Sequence, residues 1–193
     1  MVNIIFSIYF KSNHLDAIIL ISYEYLEKEK RIKLEEIKFF ENAADAVTYI
    51  KTEDFALIEE DAMIHDRIQD LRNLLTSYLS GKNVDLYNMI QGLNIKLSLK
   101  EKFPTKFSQE VIKTVINLNQ GELTTYFEIG DKIKSRAYRA IGNVLKHNPL
   151  PLVIPCHRVL RKNGEIGGYM GKIDKTWETN LKKQLLKLEG HPI

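Results

Sequence analysis

The sequence predicts an α/β (α+β) protein of two domains: a strand-rich amino-terminal domain and a mostly helical carboxy-terminal domain with a helix-turn-helix. Three observations favour this class. Two runs rich in β-branched and aromatic residues begin the chain, and apolar residues recur at threes and fours in later segments. Two short helical segments near the middle of the second half are separated by a tight break, which is typical of a helix-turn-helix.

The first domain is predicted over residues 1–80. The runs "NIIFSIYF" and "DAIILISYEYL" are joined by the polar "KSNHL", which indicates two strands in a hairpin or meander. From Ala62 the apolar spacing becomes helical until Gly81 ends it. The apolar positions of that helix are Ile64, Ile68, Leu71, Leu74, Leu75 and Leu79. Residues 81–104 show no clear helical period and end in a proline, so we expect a linker there.

The second domain is predicted over residues 105–193. It begins with a helix whose apolar face contains Phe107, Val111, Val115 and Leu118. Thr125 and Glu128 have the spacing of a capping box, which predicts a short helix ending near Ile133. A break at Lys134 and Ser135 leads into a second short helix that must end at Asn148, because a proline follows it.

The rest of the second domain leads to the only cysteine of the chain. The apolar run "LVI" is expected to bring Cys156 into the core in an extended, buried segment. Asn163 and Gly164 predict a turn. A final helix is expected to direct Trp177, Leu181, Leu185 and Leu188 inward and to end at Gly190.

Charge divides the chain in the same place. Residues 1–103 contain 13 basic and 17 acidic side chains, whereas residues 104–193 contain 15 basic and 8 acidic ones. A basic carboxy-terminal domain is the footprint of a phosphate-backbone binder, although a solubilising surface explains the charge equally well. The apolar runs are too short to span a bilayer and no signal peptide is visible, so we expect a cytoplasmic protein.

Cys156 is flanked by groups that can activate a thiol. A free cysteine has a pKa of about 8.5, so it becomes a nucleophile at neutral pH only beside a base or a positive charge. His157 and Arg158 follow it directly, and in an extended segment His157 would act through a water. Glu189 is the candidate carboxylate to orient that histidine. The alternative, at about even odds on these residues alone, is a small buried cysteine in the core.

A family resemblance covers roughly residues 79–191. It begins with "LSGK" at residues 79–82 and continues through six blocks in a fixed order. They are "FSQEV", "GELTTY", "RAYRAIG", "NPLPLVIPCHRV", "NGEIGGYMG" and "LLKLEGH". In this order they resemble the O6-alkylguanine-DNA alkyltransferases. The resemblance implies an RNase H-like fold for the amino-terminal domain. It also implies a DNA repair methyltransferase that flips O6-alkylguanine out of double-stranded DNA and moves the alkyl group irreversibly to Cys156, once per protein.

The resemblance also assigns roles to residues. It implies a catalytic set made of Cys156, His157, Glu189, Tyr126 and Asn148. It implies a DNA-binding set made of Arg139, as the finger that fills the gap in the stack, with Ala137, Ala140, Gly142, Arg158 and Ser135. The guanine pocket would be formed by Tyr169, Met170, Gly171 and Val159. No cofactor and no metal are expected, and the protein is expected to act as a monomer.

The sequence departs from the family pattern at a few positions, and other functions are compatible with it. Met170 stands where some family members have serine, which bears on one hydrogen bond to the alkylated oxygen. Some members bind zinc through amino-terminal cysteines, which this chain lacks, so His14 and His65 are interpreted as ordinary surface or core histidines. The rivals are a lesion-binding protein without transfer, a cysteine hydrolase and a transcription regulator. The presence of Cys156 disfavours the first rival.

Overall fold

The structure is a computed structural model, and it describes residues 4–58, 64–173 and 176–192. The chain divides into two compact units, residues 1–98 and 99–193. A mixed sheet dominates the first unit and helices dominate the second, so the α/β class is confirmed. Across the ranges that the structure describes, none of the helices combines the length and the apolar character that a bilayer span requires.

The first unit is built on a five-stranded mixed sheet. Its strands are β1 (Ile5–Lys11), β2 (Ile18–Leu26), β3 (Arg31–Phe40), β4 (Ala56–Leu57) and β5 (Ile95–Lys96), in the order β4-β1-β2-β3-β5. The central strands are antiparallel, which confirms the predicted hairpin, and each edge strand is parallel to its neighbour. Ile8, Ile21 and Ile37 lie side by side across β1, β2 and β3, because the register pairs them.

Three helices complete the first unit. Helix α1 (Ala43–Thr52) begins at Asn42, whose side chain accepts from the backbone N–H of Asp45 at 2.9 Å. Helix α2 (Asp66–Leu79) buries the predicted apolar positions Ile68, Leu71, Leu75 and Leu79. The predicted start of this helix, Ala62, lies outside the described residues. Helix α3 (Leu86–Gly92) follows α2.

The segment expected to be a linker differs from that expectation. Residues 81–104 contain α3, β5 and the short helix α4 (Leu99–Lys102). The boundary between the units falls after Ser98, inside this segment. Sequence patterns do not reveal β5, because a two-residue edge strand is too short to show a period. The strand is specified by its parallel pairing with Ile32 and Lys33 of β3.

The second unit contains the predicted helix-turn-helix. Helix α5 (Lys106–Ile116) buries Val111 and Val115. Strand β6 (Thr124–Thr125) then leads into α6 (Tyr126–Lys132). The capping box is confirmed: the Thr125 N–H donates to Glu128 Oε2 at 2.7 Å and the Glu128 N–H donates to Thr125 Oγ1 at 3.1 Å.

The turn between the two short helices depends on a glycine. Helix α7 (Tyr138–Lys146) packs against α6 at Gly130. A Cβ atom at Gly130 would lie 2.6 Å from both the Ser135 carbonyl oxygen and the Tyr138 ring. Lys134 takes a positive φ of 53° in the turn, as the predicted break requires. The absence of a side chain at Gly130 therefore lets the two helices meet closely.

The approach to Cys156 is not the extended segment that the sequence predicts. Leu152 has a φ of 71°, and a bridge joins Pro151 to Ile154, so the chain doubles back in a tight turn. Cys156–Arg158 then form a single 3₁₀ turn, which runs into strand β7 (Val159–Leu160). The periodic apolar run indicated burial correctly but could not reveal this reversal, which depends on a left-handed residue other than glycine.

The last helix, α8 (Trp177–Leu188), begins at Thr176 and packs against the 3₁₀ turn. Leu181 and Leu185 are buried as predicted, whereas Trp177 and Leu188 are only half-buried. Gly190 follows the helix with a φ of 90°, which confirms the predicted glycine stop.

Candidate active site

The candidate site is a cavity of about 640 Å³ in the second unit, with Cys156 in its wall. Four segments of the chain form it: the start of α6, one face of α7, the 3₁₀ turn and the loop before α8. Its lining residues are Tyr126, Arg139, Gly142, Asn143, Leu145, Lys146, Cys156, Arg161, Gly167, Gly168, Tyr169, Met170, Gly171, Lys172 and Ile173. Volume and composition suit a planar organic group the size of a nucleobase.

The backbone pairing of β6 with β7 brings the tyrosine and the cysteine of this cavity together. Thr124 pairs with Val159 and Thr125 with Leu160 in parallel register. Tyr126 follows directly after β6, and the turn of Cys156 directly precedes β7. Because the strands are parallel, Tyr126 and the Cys156 turn leave this short sheet at opposite ends, and both side chains line the cavity between them.

Asn148 holds the cysteine in place. Its side-chain nitrogen donates to the Ile154 carbonyl at 2.9 Å and to Cys156 Sγ at 3.3 Å, and its Oδ1 accepts from the Leu150 N–H at 3.0 Å. Asn148 thus uses both ends of its amide to fix the tight turn and the sulfur. An amide that donates to sulfur stabilises the thiolate over the thiol.

The structure brings His157 and Glu189 together, although 32 residues separate them. His157 is completely buried, and its Nε2 lies 3.0 Å from Glu189 Oε1. A carboxylate only accepts, so Nε2 carries the hydrogen and donates to Glu189. Nδ1 is then the nitrogen that has the lone pair while the imidazole is neutral.

Arg158 is placed differently from the expected DNA contact. It is 5% exposed, and its Nε and Nη2 donate to both oxygens of Glu189 at 2.7 to 3.0 Å. Its Nη1 donates to the Leu118 carbonyl at 2.6 Å. The guanidinium therefore faces inward and braces the carboxylate, because a rigid fork of N–H groups matches a carboxylate in a buried setting.

Burial and hydrogen bonding move the pKa values of this cluster in opposite directions. Burial alone would raise the pKa of Glu189, but the hydrogen bonds from His157 and Arg158 outweigh it and hold that pKa well below its usual range. Burial lowers the pKa of His157, against the opposing effect of Glu189. The site therefore contains an ionised carboxylate and a neutral imidazole at neutral pH.

Burial also acts on the two acids that face the cavity. It raises the pKa of the Cys156 thiol, and the hydrogen bond from Asn148 and the charge of Lys182 oppose that effect. It raises the pKa of the Tyr126 phenol too, with a further increase from Cys156 and a smaller decrease from Arg161. Tyr126 is therefore protonated at neutral pH and can donate a proton into the cavity.

The ring of Tyr126 packs closely against the backbone of two glycines. A Cβ at Gly167 would lie 3.3 Å from the ring, and a Cβ at Gly142 would lie 3.7 Å from it. Gly142, which the resemblance places in the DNA-binding set, thus also forms part of the cavity wall beside Tyr126. Gly167 also lines the cavity.

The start of α7 carries most of the other residues that the resemblance places in the DNA-binding set. Ala137, Arg139 and Ala140 are all exposed, and Arg139 also lines the cavity. Ser135 is half-buried, and its hydroxyl accepts from the Ala137 N–H at 3.2 Å at the start of the helix. The helix thus presents small side chains around a single arginine at the cavity mouth.

The loop before α8 forms another part of the cavity wall. Tyr169 and Lys172 exchange backbone hydrogen bonds of 2.8 and 2.9 Å around Met170 and Gly171, whose φ values are 47° and 84°. Two successive positive φ values are the signature of a tight hairpin turn. Met170 takes this conformation without being glycine, so its position in the wall is set by the turn and not by side-chain packing alone.

Val159 does not line the cavity, contrary to expectation. Its side chain is completely buried, and its carbonyl oxygen accepts from Lys182 Nζ at 2.6 Å. Sequence reasoning missed Lys182 altogether, because an amphipathic helix pattern assigns a lysine to solvent. The signal that could have found it is spacing: Lys182 precedes Glu189 by seven residues, two turns of one helix face.

The candidate site contains no metal cluster in the residues that are described. Across residues 4–58, 64–173 and 176–192, no group of three or more His, Cys, Asp or Glu side chains is placed to hold a metal ion. The side chains in and beside the cavity are a thiol, a phenol, an imidazole and a carboxylate.

Comparison with known proteins agrees with this site. Residues 106–191 match the family model described as the DNA-binding domain of 6-O-methylguanine DNA methyltransferase. A methylated-DNA–protein-cysteine methyltransferase of Methanosarcina mazei is 34% identical over 143 residues, which cover 73% of this chain and 80% of that protein.

Two solved structures show the same fold. The O6-methylguanine methyltransferase of Mycobacterium tuberculosis superposes with a TM-score of 0.64 at 23% identity, over 96% of this chain and 93% of that one. Mycobacterium tuberculosis OGT in complex with DNA gives a TM-score of 0.60 at 23% identity, over 95% and 92% of the two chains. Sequence and fold together show that the chain belongs to the methylated-DNA–protein-cysteine methyltransferase family.

Proposed function

We propose that this protein repairs O6-alkylguanine in double-stranded DNA by transferring the alkyl group to Cys156 in a single, irreversible event. The observation that carries the proposal is the cavity itself. It places the only cysteine of the chain, a protonated tyrosine and an exposed arginine around one space of nucleobase size. Family membership and the relative that was solved with DNA support the choice of substrate.

The damaged nucleotide must leave the base stack to reach the sulfur, because a stacked base is closed to a protein side chain. Helix α7 would approach the minor groove with Ala137 and Ala140, whose small side chains allow a close fit. Arg139 would enter the stack and occupy the gap. Its exposure and its place at the cavity mouth suit a group that exchanges positions with the base.

The transfer is a displacement at the alkyl carbon. The thiol proton of Cys156 passes to His157 at Nδ1, through a water as expected from the sequence, and Glu189 stabilises the imidazolium that results. The S–C bond forms while the C–O6 bond breaks, and the electron pair of the broken bond goes to the guanine. Tyr126 donates a proton to the guanine ring, so that a neutral base leaves.

The product explains why the event happens once. Transfer yields a thioether, which water does not cleave under physiological conditions, so Cys156 is consumed. The reaction needs no cofactor, since sulfur supplies the nucleophile and guanine is the leaving group. Met170 and Gly171 would then set the room available for the alkyl group, because their turn forms part of the cavity wall.

We also infer that the first unit has an RNase H-like fold. Its strand order β3-β2-β1-β4, with three antiparallel strands, one parallel strand and α1 between β3 and β4, supports this interpretation. We expect the protein to act as a monomer, because the second unit of one chain contains every group that the transfer uses. Size-exclusion chromatography with light scattering tests this expectation.

The test of the function is intact-mass analysis after incubation with a duplex that contains one O6-methylguanine. The expected result is one added methyl group per protein, mapped to the Cys156 peptide and absent with an undamaged duplex or with Cys156→Ala. A protein that shifts the damaged duplex in a gel but gains no methyl group would be a lesion binder. Failure of both binding and transfer would refute the proposal.

A further inference from the structure

Lys182 is a buried cation without a buried anion beside it. The side chain on α8 is 0% exposed, and its ammonium donates to the Val159 carbonyl at 2.6 Å. Among the described residues, no carboxylate lies within ion-pair distance of this ammonium. One carbonyl satisfies one of its three N–H groups.

This arrangement costs folding stability. Burial lowers the pKa of Lys182 to about 8, so the side chain remains mainly protonated at neutral pH despite its surroundings. Methionine of similar length would fill the same space without a charge. A buried ammonium in a protein of this kind is therefore a candidate functional group, because structural packing alone disfavours it.

The hydrogen bond of Lys182 connects its ammonium to the turn that contains Cys156. Val159 ends the 3₁₀ turn that starts at Cys156, and its N–H donates to the Cys156 carbonyl. Lys182 is thus attached to the turn that holds the sulfur. Glu189, two turns further along the same face of α8, binds His157 and Arg158 of that turn. Helix α8 therefore places one positive and one negative buried group against three consecutive residues.

The charged surroundings leave Cys156 as the group that can become an anion near this ammonium. The attraction of Cys156 favours the protonated form of Lys182, whereas Arg161 disfavours it. His157 is also affected, since the positive charge of Lys182 disfavours its protonation. An ammonium in this position favours the thiolate of Cys156, and this effect helps the removal of the thiol proton, whereas its effect on His157 opposes protonation of the imidazole.

We propose that Lys182 is a positioning residue of the transfer site: its ammonium stabilises the Cys156 thiolate electrostatically, and its bond to the Val159 carbonyl fixes the turn that directs the sulfur into the cavity. The inference rests on the proposed function in one respect: alkyl transfer is the reaction in which the thiolate would act. The state of the thiol can be measured without DNA.

The test is the rate at which iodoacetamide alkylates the protein, measured by intact mass as a function of pH. The single cysteine makes the signal unambiguous. Lys182→Met is expected to react roughly tenfold more slowly near neutral pH, with its profile displaced to higher pH and an unchanged rate at the alkaline limit. Lys183→Met, at the exposed neighbouring position, is the matched control and should follow the wild-type profile.

Two further variants separate charge from packing. Lys182→Gln keeps a donor for the Val159 carbonyl but removes the charge, so it should show the same displacement as Lys182→Met. Lys182→Arg keeps the charge and should restore the wild-type profile. Circular dichroism identifies the folded variants, and a folded Lys182→Gln suffices if Lys182→Met does not fold.

A profile that coincides with the wild type in a folded, uncharged variant would overturn the inference. So would a uniformly lower rate with no displacement along pH, since that is the mark of a purely structural role. If the wild type transfers no methyl group from DNA while the displacement is seen, the proposed function fails and the effect of Lys182 on the thiol stands.

Discussion

The sheet of the first unit and the helices of the second bury polar groups of different kinds. Among the described residues of the first unit, the buried polar side chains are mostly hydroxyls, such as Ser7 and Ser22, which bond to each other at 2.9 Å. Glu24 is the charged exception in that set. In the second unit the buried set includes Cys156, His157, Arg158 and Lys182, all within one neighbourhood of α8.

This difference separates a scaffold from a reactive site. A pair of hydroxyls satisfies itself at little cost and leaves the sheet to be stabilised by its apolar residues. Ionisable groups in the interior must be paired or shift their pKa values, and they persist where chemistry needs them. The cluster around α8 therefore marks the reactive part of the molecule more clearly than the cysteine does alone.

The largest effect on stability is expected from Glu189→Gln. This change leaves the guanidinium of Arg158 buried without its carboxylate, which should lower the free energy of unfolding by about 3 to 5 kcal/mol. The comparison variant is Glu36→Gln in the first unit. Glu36 contacts Lys38 and Tyr49 at 3.3 and 3.1 Å near the surface, so its loss should cost about 1 kcal/mol or less. Urea unfolding measures both, and equal losses would contradict the distinction between the units.

A glycine contrast is expected to give the next largest effect. Gly130→Ala would push a Cβ against the Ser135 carbonyl and the Tyr138 ring, and should cost about 1 to 3 kcal/mol. Gly92→Ala, at the end of α3, meets nothing within 4 Å and should be neutral or slightly stabilising. Thermal unfolding compares them. A harmless Gly130→Ala would show that the helix-turn-helix packs less tightly than described.

Arg139→Ala is expected to separate DNA handling from thiol chemistry. Its loss should slow methyl transfer from duplex DNA by about tenfold or more, because the gap left by a flipped base then stays empty. The rate of Cys156 alkylation by iodoacetamide should not change, since the bonds that fix Cys156, His157 and Glu189 come from Asn148 and Arg158 and not from Arg139. Lys183→Ala serves as the control for a lost surface charge. Equal slowing of both reactions would place Arg139 in the chemistry instead.

The smallest expected effect is the loss of folding stability at acidic pH. The folded pKa of His157 lies below its ordinary value, so on acidification the unfolded chain takes up a proton that the folded protein refuses, and stability falls. Between pH 7.5 and 5.5 the loss should be about 1 kcal/mol, and Glu189, whose folded pKa is also lowered, adds a further loss below about pH 4.5. Urea unfolding of the wild type and of His157→Phe tests this. A wild-type stability that rises toward pH 5.5 would contradict it.

Local patterns predicted those features that depend on neighbours three or four residues apart. The capping box of Thr125 and Glu128, the α8 stripe through Leu181 and Leu185, and the stop at Gly190 follow from spacing alone. The candidate partner of His157 was also identified from the sequence, and the structure places Glu189 against it.

Features that depend on tertiary contacts could not be predicted from the sequence. The chain reversal before Cys156 depends on a left-handed Leu152, which no propensity predicts. The same holds for the inward direction of Arg158, because a guanidinium faces the interior only when a carboxylate from another element meets it there.

The sequence by itself determined the first hairpin, the helix-turn-helix, the solitary cysteine and the basic character of the second half. Tertiary structure alone decided that β6 and β7 pair, which sets Tyr126 beside Cys156, and that α8 turns Lys182 and Glu189 toward the same 3₁₀ turn. The physical reason is range. Capping and amphipathic spacing act within one or two helical turns, whereas a buried charge is stabilised only by groups that folding brings from distant parts of the chain.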